Sequence, residues 1–213
     1  MAIFNSFLLG QVSKSVGNVT MCQLRGESVA RGKIKFRRDN PTPEVLDMRA
    51  KIRELGGLGK RLVPVIRKGF VGVGDSTTSN AFVKMNLGVV DVTAEHVATV
   101  DFDRLKLASG VLIPPSMTVT VDALGSQFSV SAAAQEAMSG FAALEDLLWL
   151  VFIDTELRQA VMLNVGTREN GGMATFSLPE NWTAEQVKAY CFATSENGKE
   201  VSDSKLLTIT PEE

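Results

Sequence analysis

The sequence predicts a mainly β protein with a small α part: an immunoglobulin- or fibronectin-like β-sandwich preceded by a β-hairpin and a helical pair. Three observations carry this. Two β-compatible runs near the N-terminus meet at Arg25-Gly26-Glu27. Apolar residues then recur at spacings of three and four between about residues 43 and 70. Further on the rhythm changes to alternation, in eight short runs separated by Gly, Pro, Asn and Asp. The expected organisation is a basic hairpin-and-helix module over residues 1–79 and an acidic sandwich over residues 80–213.

Taken in order, Val16 to Leu24 and Ser28 to Phe36 form the hairpin arms, with Gly26 in the turn. Asn40-Pro41-Thr42-Pro43-Glu44 marks a helix start: Thr42 caps, and Pro43 occupies the first helical position, where its missing N–H costs nothing. Val45, Met48, Ile52 and Leu55 make an apolar packing stripe. Gly56-Gly57 and Gly59 are expected to stop this helix. A second short helix within Leu58 to Phe70 must carry Pro64 near its start and ends at Lys68-Gly69 with a C-cap glycine. Val71 to Asn80 reads as a connector. The strand candidates are Ala98 to Leu107, Met117 to Ala123, Gln127 to Ser131, Leu147 to Asp154, Gln159 to Val165, Met173 to Leu178, Val187 to Thr194 and Lys205 to Thr210. Ala132 to Gly140 is the one helical-looking interruption.

At 213 residues, 45% hydrophobic and 22% charged, the chain has the means to bury a core. Its net charge of −2 conceals a division. Residues 1–70 hold 14 of the 22 Lys and Arg against 5 acids, whereas residues 71–213 hold 8 against 19. A basic element of this kind meets something anionic: the protein's own acidic part, a neighbouring copy, or nucleic acid. The candidate contact residues are Arg31, Lys33, Lys35, Arg37, Arg38, Arg49, Lys51, Arg53, Lys60, Arg61, Arg67 and Lys68. Phe36 and Phe70 are the aromatics interleaved with them, too few for a base-stacking platform.

Candidate chemistry is sparse. Gly56-Gly-Leu-Gly59-Lys60 resembles a phosphate loop only faintly, because Glu54 stands where the first glycine is needed and Arg61 replaces the metal-binding hydroxyl. Asp101 and Asp103 alternate along the expected strand without further oxygen ligands at a defined spacing. His96 is the lone histidine and reads as solvated or near a helix cap, and Cys22 and Cys191 read as free thiols. These readings predict no catalytic residues, no metal and no cofactor. The N-terminus lacks the features of a secretion signal and no stretch is long enough for a membrane span, so the expected location is cytoplasmic or particle-associated.

Several segments together resemble a family. They are Gly10-x-x-Ser13-Lys14-x-Val16-Gly17-Asn18-Val19, the basic run, Asn40-Pro41, the helix bearing Arg49, Lys68-Gly69-Phe70, Asn80-Ala81-Phe82-x-x-x-Asn86, Asp101-Phe102 with Leu105 and Leu107, and the closing Gly198-Lys199-x-Val201-Ser202-Asp203-Ser204. This set is similar to a domain-of-unknown-function family common in Bacteroidota, across nearly the whole chain. Lys14 departs from it by following Ser13 without the usual glycine. The resemblance implies a basic N-terminal module ahead of a sandwich and supplies no catalytic residues. The function expected is therefore that of a non-enzymatic structural or assembly protein. It self-associates as a homo-oligomer through its basic module and acidic sandwich, as a component of a phage-like or other large particle would. The alternative is a nucleic-acid-binding accessory protein that uses the basic segment.

Overall fold

The structure is a computed structural model that describes residues 2–3, 13–24, 26–33, 40–74, 77–122, 124–136 and 140–211. The chain divides into two compact units, Met1–Thr42 and Pro43–Glu213.

In the first unit, strands Ala2–Ile3 (β1), Lys14–Val16 (β2), Val19–Leu24 (β3) and Glu27–Gly32 (β4) form a sheet of order β1-β4-β3-β2. The expected hairpin is β3–β4, with Cys22 opposite Val29 and Gly26 supplying a φ of +84° at the turn. Its first arm is shorter than expected, because Gly17, at φ +56°, turns the chain between β2 and β3. The far end of the second arm, with Lys35, Phe36, Arg37 and Arg38, lies outside the described residues.

The second unit opens with three helices, Pro43–Arg61 (α1), Val63–Gly69 (α2) and Thr78–Asn86 (α3). Pro43 is the first helical residue of α1, as its fixed φ allows. A short hairpin follows, Val90–Val92 (β5) and Ala98–Val100 (β6). Eight strands complete the unit: Met117–Val121 (β7), Gln127–Ala132 (β8), Leu147–Asp154 (β9), Gln159–Thr167 (β10), Gly172–Ser177 (β11), Val187–Thr194 (β12), Lys205–Leu207 (β13) and Ile209–Pro211 (β14). They make two four-stranded sheets, β10-β9-β12-β13 and β11-β8-β7-β14, with β14 parallel to β7.

Alternation along β9 and β12 explains the layering. Leu148, Leu150 and Phe152, with Val187, Ala189, Cys191 and Ala193, point to one side and share a core with Val119, Phe128, Val130 and Phe176 of the other sheet. Val151, Ile153, Tyr190 and Phe192 point to the opposite side and share a second core with Leu55, Leu58, Leu62, Ile66, Phe70 and Phe82 of the helices. The result is helices on sheet on sheet. A strand buried on both faces needs apolar residues at consecutive positions, which is why Leu147 to Ile153 reads as an unbroken apolar run. In the inter-sheet core Phe152 stacks on Phe176 at 4.7 Å, and each such burial contributes about 1.5–3 kcal/mol.

The chain is thus mainly β with a small α part, and the strand expectations at β9 and β12 hold to the residue. Several other expectations are corrected. There are three helices among the described residues rather than a pair, and they pack on the sandwich within the second unit. The two compact units meet at residue 42/43, where the expected boundary was 79/80, and the helices share a core with one face of β9 and β12. Gly56, Gly57 and Gly59 do not stop α1. A helical glycine costs about 1 kcal/mol relative to alanine, but Gly59 lets Phe82 approach to 3.4 Å of where a Cβ would stand, so packing carries the helix through. Gly69 is the last residue of α2 and not a left-handed cap. A Cβ there would lie 2.1 Å from the carbonyl oxygen of Leu107.

The connector expected at Val71 to Asn80 ends early, because Thr77 caps α3 by accepting the Asn80 N–H at 3.3 Å. Ala98 to Leu107 is a three-residue strand and then a short 3₁₀ turn at Phe102–Arg104. The described part of Ala132 to Gly140 is not helical.

Candidate functional site

α1 presents two unlike flanks. On one, Asp47, Glu54 and Arg61, seven residues apart, each reach a different neighbour. Asp47 meets the His96 Nδ1 at 2.6 Å, Glu54 pairs with Arg158 at 2.5 Å, and Arg61 donates to the Leu157 carbonyl at 2.6 Å. His96 adopts a φ of +60° in the loop between β5 and β6, and Arg158 one of +56° at the β9–β10 turn. This flank fastens the helix to the hairpin and the sheet.

The other flank carries Val45, Met48 and Ile52. They were expected to pack, yet they are 42%, 46% and 48% exposed, while Leu55 in the same stripe is fully buried. The stripe runs into a groove of about 580 Å³ between α1 and α3. Ile52, Leu55, Val63, Val83 and Leu87 line it with apolar surface, and Gly56 and Gly59 keep its wall low. Lys60 and Lys84, both exposed, stand at its rim. α3 is fixed from beneath: Phe82 meets Phe70 edge to face at 5.9 Å, and the buried Asn86 bonds both ways with the backbone of Lys106 at 2.8 and 2.9 Å.

A second apolar feature sits at one end of the sandwich. Phe141 is 55% exposed, beside a depression of about 470 Å³ whose walls include Leu112, Glu145 and Glu200. The loops that hold it are anchored by a buried ion pair. Arg168 reaches Asp146 at 3.3 Å, the Gln135 side chain at 2.8 Å and the Ile113 carbonyl at 2.8 Å, and both charged partners are about 1% exposed. The Asp146 carboxylate also accepts the Ala143 N–H at 3.0 Å, and Ile113 N–H bonds the Phe141 carbonyl at 2.9 Å. Phe141 is thus an exposed ring on a fixed backbone.

Of the twelve cations expected to bind a partner, nine lie among the described residues, two in the first unit and seven in the second. Arg31 and Lys33 belong to the first unit and are exposed; Lys35, Arg37 and Arg38 lie outside the described residues. In the second unit Arg53, Lys60 and Arg67 are exposed, and Arg49 and Lys51 are half-buried. Arg61 is engaged by Leu157, and Lys68 sits 4.1 Å above the Trp149 ring, a cation–π contact joining α2 to β9. Sequence reasoning missed the groove and Phe141. A lone aromatic in Gly140-Phe141-Ala142-Ala143-Leu144, next to Glu145, was the available signal.

The closing motif, Val201 to Ser204, serves the fold. Ser202 accepts the Ala193 N–H at 2.8 Å, Ser204 the Leu107 N–H at 2.9 Å, and Asp203 the Gly110 N–H at 3.2 Å, so the closing segment stitches the 107–110 loop to β12. A Cβ on Gly110 would lie 2.0 Å from the Val201 carbonyl. Asp101 and Asp103 are not on a strand. Asp101 caps the 3₁₀ turn and Asp103 pairs with Lys188 at 2.7 Å. Gly56 to Lys60 is helical, not a phosphate loop. Burial raises the Cys191 thiol to about 11, and burial, with Asp103 and Asp101 adding to it, pushes the Tyr190 hydroxyl up as it donates to the Phe102 carbonyl. Among the described residues no cluster of three or more His, Cys, Asp or Glu is placed to hold a metal, and no helix is long and apolar enough to cross a membrane.

A search of curated proteins found no match. Among solved structures, an endonuclease/exonuclease/phosphatase from Beutenbergia cavernae DSM 12333 is 8% identical, with a TM-score of 0.24 over 66% of this chain. The chain spans 43% of that structure's length, and the likeness is too slight to carry an argument. The profile of a family of unknown function, DUF6266, matches residues 11–208, and the chain belongs to that family.

Proposed function

We propose that the protein is a non-enzymatic assembly component that self-associates, and that the α1–α3 groove is its docking surface. One observation carries the reading: an apolar stripe at Val45, Met48 and Ile52 that is roughly half exposed and opens into a groove with lysines at its rim. Large exposed apolar surface with a polar edge is what protein interfaces present before they form. The acidic sandwich provides a complement to the lysines, and complementary charge steers such encounters. A component of a phage-like or other large particle is a setting that fits. The strand order of the two sheets, with the last strand parallel to the first, supports the immunoglobulin-type reading of the sandwich.

The nucleic-acid alternative draws less support. Phe70 is 1% exposed and Trp149 lies beneath Lys68, so neither offers a face for a base. His96 meets Asp47 through Nδ1, which ties the β5–β6 loop to α1, and Cys191 is a buried thiol. Particle mass measured across concentration at low and high salt, beside a titration with duplex and single-stranded DNA, tests the reading. It expects mass that grows with concentration and shrinks with salt. A monomer at every concentration that binds DNA in a salt-sensitive way would favour the alternative.

A further inference from the structure

The groove and the Phe141 corner are opposite in character. The groove is apolar with Lys60 and Lys84 at its rim; the corner is an exposed ring set among Glu145, Glu200 and the exposed Glu169, whose N–H bonds the Leu144 carbonyl at 2.9 Å. Two grooves facing each other would set lysines against lysines. Two corners would set glutamates against glutamates. A groove against a corner buries an aromatic side chain and pairs opposite charges at the edge.

Resting on the self-association proposed above, we infer that the occupant of the groove is the Phe141 corner of a second copy, so that copies join head to tail. Both surfaces belong to every copy and differ from each other, which makes the contact heterologous. A joined pair still offers one free groove, on one copy, and one free corner, on the other, so the assembly extends until the rotation between copies closes it into a ring. Phe141 is the central anchor: a rigid aromatic whose backbone is already fixed by Ile113 and by the Arg168–Asp146 pair, so little order is lost when it docks. The lysine and glutamate edges set the register and the approach.

The test is sedimentation velocity on the full chain over a wide concentration range, with Phe141→Asp, Ile52→Glu and their equimolar mixture. Both positions are exposed, so each variant keeps the parent's urea midpoint. Phe141→Asp loses the anchor and keeps the groove; Ile52→Glu blocks the groove and keeps the anchor. Each alone sediments as a monomer, with association weakened by a factor of about 30 or more, as removal of a central aromatic anchor brings. Mixed, they complement: one intact groove meets one intact corner, giving dimers that cannot extend. Dimers restored by mixing also show that both variants are folded. Phe141→Asp with undiminished mass overturns the assignment of the occupant while leaving self-association in place. Folded monomeric variants that fail to combine overturn the head-to-tail arrangement. A parent that stays monomeric throughout overturns the underlying self-association as well.

Discussion

The two flanks of α1 are built from one helix and put to opposite uses. Asp47, Glu54 and Arg61 turn their charges inward, onto His96, Arg158 and Leu157. On the other flank Val45, Met48 and Ile52 turn apolar surface outward, with Lys60 at the rim of the groove they lead into. Sign and hydropathy alone therefore do not tell what a side chain is for. A cation bonded to its own sheet contributes stability, whereas in the proposed assembly a cation at the edge of an open apolar groove contributes recognition. Inward charges should therefore cost stability on removal and leave association alone, and outward residues should do the reverse.

The largest loss is expected where an inward charge is most deeply buried. Arg168→Met leaves the Asp146 carboxylate buried without its partner, and the urea midpoint should fall by the equivalent of about 3–5 kcal/mol. A fall under about 1 kcal/mol would show that the pair is less sequestered than its exposure indicates.

Next in size is a response to alkali. The Cys191 thiol stands at about 11 in the folded chain against 9.0 ordinarily, so the unfolded chain gives up this proton first. A raised folded value means stability that is whole below about pH 9 and declines as pH rises from there to about 11, at up to about 1.4 kcal/mol per pH unit. The raised Tyr190 hydroxyl extends the decline to higher pH. Unfolding midpoints taken every half unit should show this slope in the parent and a shallower one in Cys191→Ala; equal slopes would remove the thiol from the account.

A smaller effect is expected on α1 itself. Glu54→Ala breaks the partly exposed pair with Arg158 and should cost about 1 kcal/mol or less, with sedimentation unchanged. Loss of mass in that variant would mean that the inward flank also takes part in assembly.

How much of this was legible follows from what each residue's neighbours demand. β9 and β12 stood out to the residue because seven or eight consecutive apolar or alternating positions, bounded by polar ones, have few other solutions. α3 was hidden because its first turn, Thr78-Ser79-Asn80, has the composition of a connector, and Thr77 is read as a cap only once the helix is known. The glycines of α1 looked like a stop because sequence does not show Phe82 lying against Gly59. Periodicity found the stripe at Val45, Met48, Ile52 and Leu55, but it measures amphipathicity, not cover. Leu55 lies under the helical layer and the other three do not. The basic segment was visible as composition, while its division between Lys68 on Trp149, Arg61 on Leu157 and Lys60 at the groove required the fold.

In the proposed assembly, copies meet at the outward flank of α1 and its groove. The most direct test of that contact is the concentration dependence of mass for the double variant Lys60→Glu and Lys84→Glu beside the parent at low salt. Both lysines are exposed, so the urea midpoint should stay within about 0.5 kcal/mol of the parent's. The variant should remain a monomer over concentrations at which the parent assembles. A variant that matches the parent's mass at every concentration would remove the groove as the contact.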